Sequence, residues 1–466
     1  MSVDDLFAAD RPAAAVRGVH LDLKGTPPTP RRLLRLLEIF AALRYNAVLV
    51  EWEDTFPWTV DVRFRCETAY TPEQVGAFHA AADRLGIEVI PLVQCLGHME
   101  TPLGVAGYGP LREVPHQADV LNPLADGAAE LVERMVDDVL AATPKLKHFH
   151  LGGDEAWSFG THPETKAYVA ERGKGALYLR HVEPILDKLN ARSVRPILWH
   201  DMMKDWDADA LGRLAEKADL CVWGYRGHPD TTEHHYNTKY IRRFADSGVP
   251  LWGGTSYKGA SGHNVDVTDY RVHEDNATAW AEVGGRFGMK GLFATAWSRY
   301  STHNVHCETI GASLDSLVNV AVILHDGRAP EGGREACLAA LADLGEAERF
   351  EACHSAAADL ADLRRQAWRD VEHLSELAVM ATLDARRRTG GGMVKSLARL
   401  TDRLTEADAI AGRVRAAFDG LIEPIWIDRY LAERVEPFRE QLARLDGRVR
   451  QLDPVGHAAT FGGSAE

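Results

Sequence analysis

Lys147 to Trp157 reads KHFHLGGDEAW. Its first half alternates apolar and polar side chains with the period of a short buried strand. Gly152 and Gly153 then let the backbone turn sharply and set Asp154 beside Glu155. Two carboxylates held out of water cannot ionise independently: one is pushed towards carrying a proton while its neighbour stays anionic. That division of labour suits glycoside cleavage, in which one group protonates the leaving oxygen and negative charge steadies the developing cation. Acids also favour the first turn of a helix that follows a strand, so the stretch alone leaves both readings open.

Outward from this strand, the chain alternates short apolar runs with amphipathic segments from about residue 15, the pattern of repeated β-then-α units around a parallel sheet. The runs fall at residues 16–23, 47–52, 88–94, 148–152, 196–199, 220–223, 250–252 and 291–296. Helical segments at 31–43, 72–85, 127–142 and 240–245 lie between them. Eight such units predict a (β/α)8 TIM barrel over residues 15–326, with its chemistry at the C-terminal ends of the strands. Residues 1–14 form a short extension. After Gly327 the composition turns to Ala, Leu, Arg and Glu, which predicts a helical C-terminal domain over 327–452 in segments 331–388, 393–418 and 424–452, followed by a tail at 453–466 that should fray. The helices could pack on the barrel, wall the pocket or form the face of a homodimer. Trp368 or Trp426 could belong to such an interface.

With 53 Lys and Arg against 68 Asp and Glu, the formal charge is −15, which argues against nucleic acid or an anionic membrane as partner and leaves a neutral glycan unaffected. The six cysteines are scattered, without a CxxC pair. Together with an N-terminus lacking a basic region and apolar run, they predict reduced thiols and a cytoplasmic protein. No apolar run approaches the roughly 20 residues of a membrane span.

His150, Gly152, Gly153, Asp154 and Glu155 reproduce an HxGGDE motif, and the chain resembles glycoside hydrolase family 20, the β-N-acetylhexosaminidases. Its hexosaminidase D branch is the nearer likeness. The matching stretches are His20-Leu-Asp-Leu-Lys-Gly25, Asp54-Thr-Phe-Pro57, Pro91-Leu-Val-Gln94, Gly97-His98-Met99-Glu100, Trp199 with Asp201, and Trp297 with Arg299-Tyr300. The resemblance implies exo-acting removal of terminal β-linked N-acetylglucosamine or N-acetylgalactosamine with retention, the substrate's 2-acetamido oxygen serving as nucleophile. It makes Glu155 the general acid and then base, and Asp154 the group that orients the acetamide and faces its positive charge. His98 and Glu53 would form a hydrogen-bonded chain to the general acid, with Asp54 competing for the place of Glu53 and a satisfied core histidine the plain reading of His98.

For the sugar itself, the resemblance offers Arg17 to hold ring hydroxyls, with Asp22 and Lys24 following towards the mouth. Trp199, Trp223 and Trp297 would line the pocket, since aromatic faces suit the apolar face of a sugar ring. Either Tyr225 or Tyr257 would bond the acetamide oxygen. Arg299 stands where the family has a glutamate, so Asp201 or Glu308 would have to reach the outer hydroxyls. His148 and His150 form an HxH pair, but on strand four and not on strand one, so no metal and no cofactor is expected. A retaining hexosidase with its own nucleophile would commonly place a second acid after strand seven, and residues 252–258, WGGTSYK, contain none. A barrel that binds sugar without catalysis is the remaining alternative.

Overall fold

The computed structural model describes residues 2–143, 145–262, 265–299 and 306–462. Eight parallel strands close a barrel in chain order: β1 (Val16–Asp22), β2 (Ala47–Glu51), β3 (Glu88–Leu92), β4 (His148–His150), β5 (Arg195–Trp199), β6 (Asp219–Trp223), β7 (Leu251–Lys258) and β8 (Gly291–Ala296). β8 returns to β1 in the register Val16↔Gly291 to Val19↔Ala294. The helices are α1 (Pro30–Ala42), α2 (Pro72–Arg84), α3 (Glu100–Leu103), α4 (Ala128–Ala142), α5 (Pro163–Arg172), α6 (Lys174–Asn190), α7 (Ala208–Lys217), α8 (Thr238–Asp246), α9 (Tyr270–Arg286), α10 (Leu314–Asp326), α11 (Gly333–Asp343), α12 (Ala347–Leu383), α13 (Gly392–Phe418), α14 (Pro424–Leu452) and α15 (Pro454–Phe461). The fold is a (β/α)8 TIM barrel followed by a helical C-terminal region.

Local chemistry accounts for the boundaries. α2 opens on a reciprocal capping box, in which Thr71 Oγ1 accepts from Gln74 N–H at 3.3 Å and Gln74 Oε1 accepts from Thr71 N–H at 2.8 Å. Strand alternation divides the core in two. Ala47, Leu49, Ile90, Leu92, Ile197, Trp199, Cys221, Trp252 and Phe293 fill the barrel interior, while the opposite strand faces pack under the helices. Phe293 fits only because β1 carries Gly18, where a Cβ would lie 2.2 Å from its ring.

Three expectations need correction. β7 runs to Lys258, well past Trp252, because Gly253 and Gly254 pack as strand residues against Leu292 and Trp223. The segment 331–388 is broken at Gly345, whose φ of +70° ends α11 before α12 begins. The tail after Asp453 folds through Phe461: Asp453 caps α15 by accepting from Gly456 N–H at 3.0 Å, and His457 packs beside Asp446 at 2.7 Å.

α12, α13 and α14 pack on one another and reach back to the barrel through buried charge. Arg434, fully buried, donates to Asp266 Oδ1 at 2.6 Å, and Arg364 holds the other oxygen of Asp266. Glu433 accepts from His306 N–H at 2.9 Å. Asp266 and His306 belong to the connections after β7 and β8, so α12 and α14 clamp two of the loops at the catalytic end of the barrel. Trp426 is buried and donates to Thr68 Oγ1 at 2.6 Å, whereas Trp368 stays exposed.

Candidate active site

The turn after β4 is built for close approach. Gly152 and Gly153 have φ of +58° and +82°; a Cβ would strike Gln94 Oε1 at 1.9 Å in the first and Tyr178 Oη at 2.1 Å in the second. Gln94, just past β3, accepts from Gly153 N–H at 3.1 Å. The β3 connection tucks below: a Cβ on Gly97 would lie 1.9 Å from the Asp154 carbonyl oxygen. Three site residues that are not glycine, Glu53, His98 and Glu155, take left-handed φ values of +48°, +53° and +46°. Such conformations cost energy and persist where surrounding bonds fix them. Glu155 is fixed by Asp201 Oδ2, which accepts its backbone N–H at 2.9 Å.

His98 joins the pair. Its Nε2 lies 3.6 Å from Asp154 Oδ2 and 3.5 Å from Glu155 Oε2. Burial alone would lower the imidazole's pKa, but the Asp154 charge and hydrogen bonds to both carboxylates outweigh it and hold His98 well above the usual histidine range. Asp201 is pushed up to about 7 by burial and then by the neighbouring Asp154 charge. Burial also pushes Glu53 up to about 8. Thr101 Oγ1 donates to Glu53 Oε2 at 2.8 Å, and Glu53 shares a cavity of about 20 Å3 with His98. Among the described residues the two make no direct hydrogen bond. Asp54, pushed by burial up to about 6, lies near Arg299, whose charge opposes that shift.

An aromatic wall stands opposite. Trp223 stacks on Tyr225 at 5.2 Å, Tyr225 meets Trp297 at 6.1 Å, and Trp297 meets Trp199 at 6.3 Å. The buried Tyr225 hydroxyl lies beside Thr295 and Trp297, and Asp154 Oδ1 is buried with no hydrogen-bond partner among the described residues. Buried polar atoms left so are costly unless something else satisfies them.

The sequence model for "Glycosyl hydrolase family 20, catalytic domain" matches residues 15–241. The chain is 33% identical to hexosaminidase D of Bos taurus, over 66% of its own length and 92% of that protein. The chain belongs to glycosyl hydrolase family 20. It is 32% identical to hexosaminidase D of Homo sapiens, over 67% of this chain and 66% of that one. A Flavobacterium johnsoniae chitobiase shares the fold with a TM-score of 0.55 at 13% identity, covering 95% of this chain and 75% of that one. This family 20 chain is a glycoside hydrolase of the β-N-acetylhexosaminidase type.

Within the family 20 barrel, several residues stand apart from the places the motif comparison suggested. Arg17 is at the N-terminal end of β1, pointing out of the barrel, where its guanidinium donates to the Arg44 and Ala14 carbonyls at 2.9 Å each; it cannot hold the sugar at the opposite end. Lys24 is the cation at the mouth. Its Nζ lies 2.8 Å from Glu51 Oε1 and 3.3 Å from Asp22 Oδ1, and 5.8 Å from the Trp297 ring centre. Tyr257 packs on the outer face of β7 in the core beneath the helices, whereas Tyr225 lies against Trp223 and Trp297. Glu308, almost wholly buried, accepts from Gly259 N–H at 2.7 Å and Thr268 Oγ1 at 3.3 Å, tying loops together and not reaching for a sugar. Asp22 accepts from Ser298 N–H at 2.8 Å and Lys24 N–H at 3.0 Å. Tyr300 lies outside the described residues.

The HxH pair is divided. His148 bonds Glu88 at 2.7 Å near the barrel floor, while His150, pushed down to about 3 by burial, accepts from Gly152 N–H at 2.9 Å. Glu51 is the residue that sequence reasoning missed. It is buried at the inner end of β2, with Lys24, Gln94 at 3.3 Å and His20 at 3.4 Å around it. The signal was available: Glu51 shares a strand face with Ala47 and Leu49, so strict alternation points a carboxylate inward.

Proposed function

We propose that the chain removes terminal, non-reducing β-linked N-acetylhexosamine by substrate-assisted catalysis, with Glu155 as general acid and then base, and Asp154 orienting the acetamide. The observation that carries this is the Asp154–His98–Glu155 cluster, one imidazole within 3.6 Å of two adjacent carboxylates. Asp154 presents a buried oxygen without a hydrogen-bond partner among the described residues, and Tyr225 a buried hydroxyl beside Thr295 and Trp297. An acetamide N–H and its carbonyl oxygen complement that pair. The tryptophans enclose the methyl group and the sugar face.

The proton balance follows from the same cluster. The Glu155 side chain is 35% exposed in the open pocket. With His98 Nε2 3.5 Å from its Oε2, Glu155 as general acid enters the reaction carrying the proton. Once the leaving oxygen takes it, the acetamide oxygen attacks the anomeric carbon, and the anionic Asp154 faces the charge that appears on the nitrogen. Glu155 then draws a proton from the water that opens the oxazolinium ion. An enzymic nucleophile is disfavoured because three neighbouring carboxylates are engaged: Asp201 holds the Glu155 backbone, and Asp22 and Glu51 hold Lys24. Hydrolysis of aryl β-N-acetylglucosaminide, β-N-acetylgalactosaminide and β-galactoside tests the reading, which expects turnover of the acetamido sugars and near inertness of the galactoside.

The six cysteines are all free, five of them buried, which supports a reducing, cytoplasmic setting. Among the described residues no helix is long and apolar enough to cross a membrane.

A further inference from the structure

Trp223, the last residue of β6, is only half-buried, yet several groups hold it in place. Its backbone N–H donates to His200 Nδ1 and its indole N–H to Asp201 Oδ1, each at 3.4 Å. On β7, Gly254 packs against its base, where a Cβ would lie 3.1 Å from that of Trp223. Against the indole rests the ring of His235, with centroids 4.3 Å apart, closer than Tyr225 at 5.2 Å.

His235 lies in the connection between β6 and α8 and is itself pinned. The fully buried His200 has its Nε2 3.2 Å from both Nδ1 and the carbonyl oxygen of His235. The next residue, Tyr236, donates its hydroxyl to the Arg226 carbonyl at 2.7 Å, and a Cβ on Gly224 would lie 2.2 Å from its ring, so the connection cannot slide. Burial pushes His235 down to about 4 and holds His200 well below the usual histidine range. At neutral pH both rings are therefore uncharged, and they brace Trp223 as packed aromatic bodies. His200 and Asp201 are adjacent in the chain, so the turn after β5 that grips the Glu155 backbone also supports this wall.

We propose that His235 is a positioning residue: by fixing Trp223 it sets the size of the N-acyl group that the site accepts. This rests on the reading above, in which the tryptophans enclose the acetamide methyl. A close-packed wall refuses one more methylene only where it cannot give way. Asp201 holds the indole by its N–H edge and Gly254 adjoins its base, which leaves the imidazole to stop the ring from shifting. Without that imidazole the indole can move into the space left behind, and the wall gives.

The test compares kcat/KM for nitrophenyl β-glycosides of the N-acetyl and N-propionyl hexosamine in wild type, His235→Ala, His235→Asn and His235→Phe. The two acyl oxygens are equally good nucleophiles, so the ratio reports room and not chemistry. Wild type should favour the acetyl sugar about tenfold or more, the scale of one methylene in a fitted pocket. That preference should shrink at least about fivefold in His235→Ala. It should shrink likewise in His235→Asn, which can still bond His200 but has no ring. His235→Phe keeps a ring against the indole and should keep most of the preference. A preference unchanged in the Ala and Asn variants, or lost as fully in His235→Phe, overturns the role of His235 and leaves the catalytic reading intact. A wild type indifferent to the methylene has no firm wall and overturns that role too. A wild type inert towards the N-acetyl glycoside overturns the catalytic reading and this one with it.

Discussion

Asp201, two residues past β5, accepts the backbone N–H of Glu155 at 2.9 Å, and so holds a residue whose φ is +46°. A side chain just past one strand thereby sets the backbone of the acid in the turn after its neighbour. Removing the clamp should let Glu155 relax to an ordinary conformation and displace its carboxyl. Asp201→Ala should lower kcat about a hundredfold, the scale of an ångström-sized misplacement. Asp201→Asn keeps an acceptor oxygen and should lose less. Steady-state kinetics on both variants check this; equal losses would show that the charge of Asp201, and not its grip on the backbone, is what matters.

Glu155→Gln removes the transferable proton and leaves the shape. It should slow substrates with poor leaving groups by about a hundredfold or more and nitrophenyl glycosides far less, since nitrophenolate needs little protonation. A Brønsted plot across leaving groups measures this, and parallel losses along the whole series would remove Glu155 from the acid's role.

Glu53 gives a pH prediction. Its pKa is raised by burial from 4.5 to about 8. Below 4.5 the group is neutral folded and unfolded and costs nothing; as pH rises to 8 the unfolded chain ionises while the folded one resists, and stability falls across that window. Glu53→Gln should flatten the decline of Tm between pH 4.5 and 8. Thermal melts at several pH values decide it: a variant curve parallel to wild type would mean that Glu53 titrates normally.

Arg434 links the helical region to the catalytic end of the barrel through Asp266. Arg434→Ala leaves a buried carboxylate with half its support and should destabilise the protein by about 3–5 kcal/mol. Denaturant unfolding measures the loss. Activity should fall as well, because Asp266 belongs to a pocket-side connection; unchanged stability and activity would show that the helices neither clamp the loops nor support the barrel.

The barrel was legible because each strand is a short apolar run and the runs recur with helical segments between them. β7 was cut short at Trp252 because Gly253, Gly254, Thr255 and Ser256 do not look apolar, although they are wholly buried against neighbouring strands. The catalytic pair was legible from a glycine turn and two acids. The hydroxyl-binding side was not. Arg17 looked right by motif, yet it starts a strand, and a strand's start lies at the wrong end of a barrel. Glu51 was passed over inside the apolar run 47–52, although its partners His20 and Lys24 come from the adjacent strand and its loop. Tyr225 and Tyr257 could not be separated without the pleat: the β7 register shifts between Ser256 and Lys258, and only the structure shows which face Tyr257 takes.

The central claim is that the substrate's own acetamide is the nucleophile, held by Asp154. Its most direct test is the inhibition constant of a stable thiazoline mimic of the oxazolinium ion, measured beside the free N-acetylhexosamine. A site complementary to the charged intermediate should bind the thiazoline at least about a hundredfold more tightly than the sugar, with most of that advantage lost in Asp154→Asn. A thiazoline that binds no better than the free sugar would contradict the account.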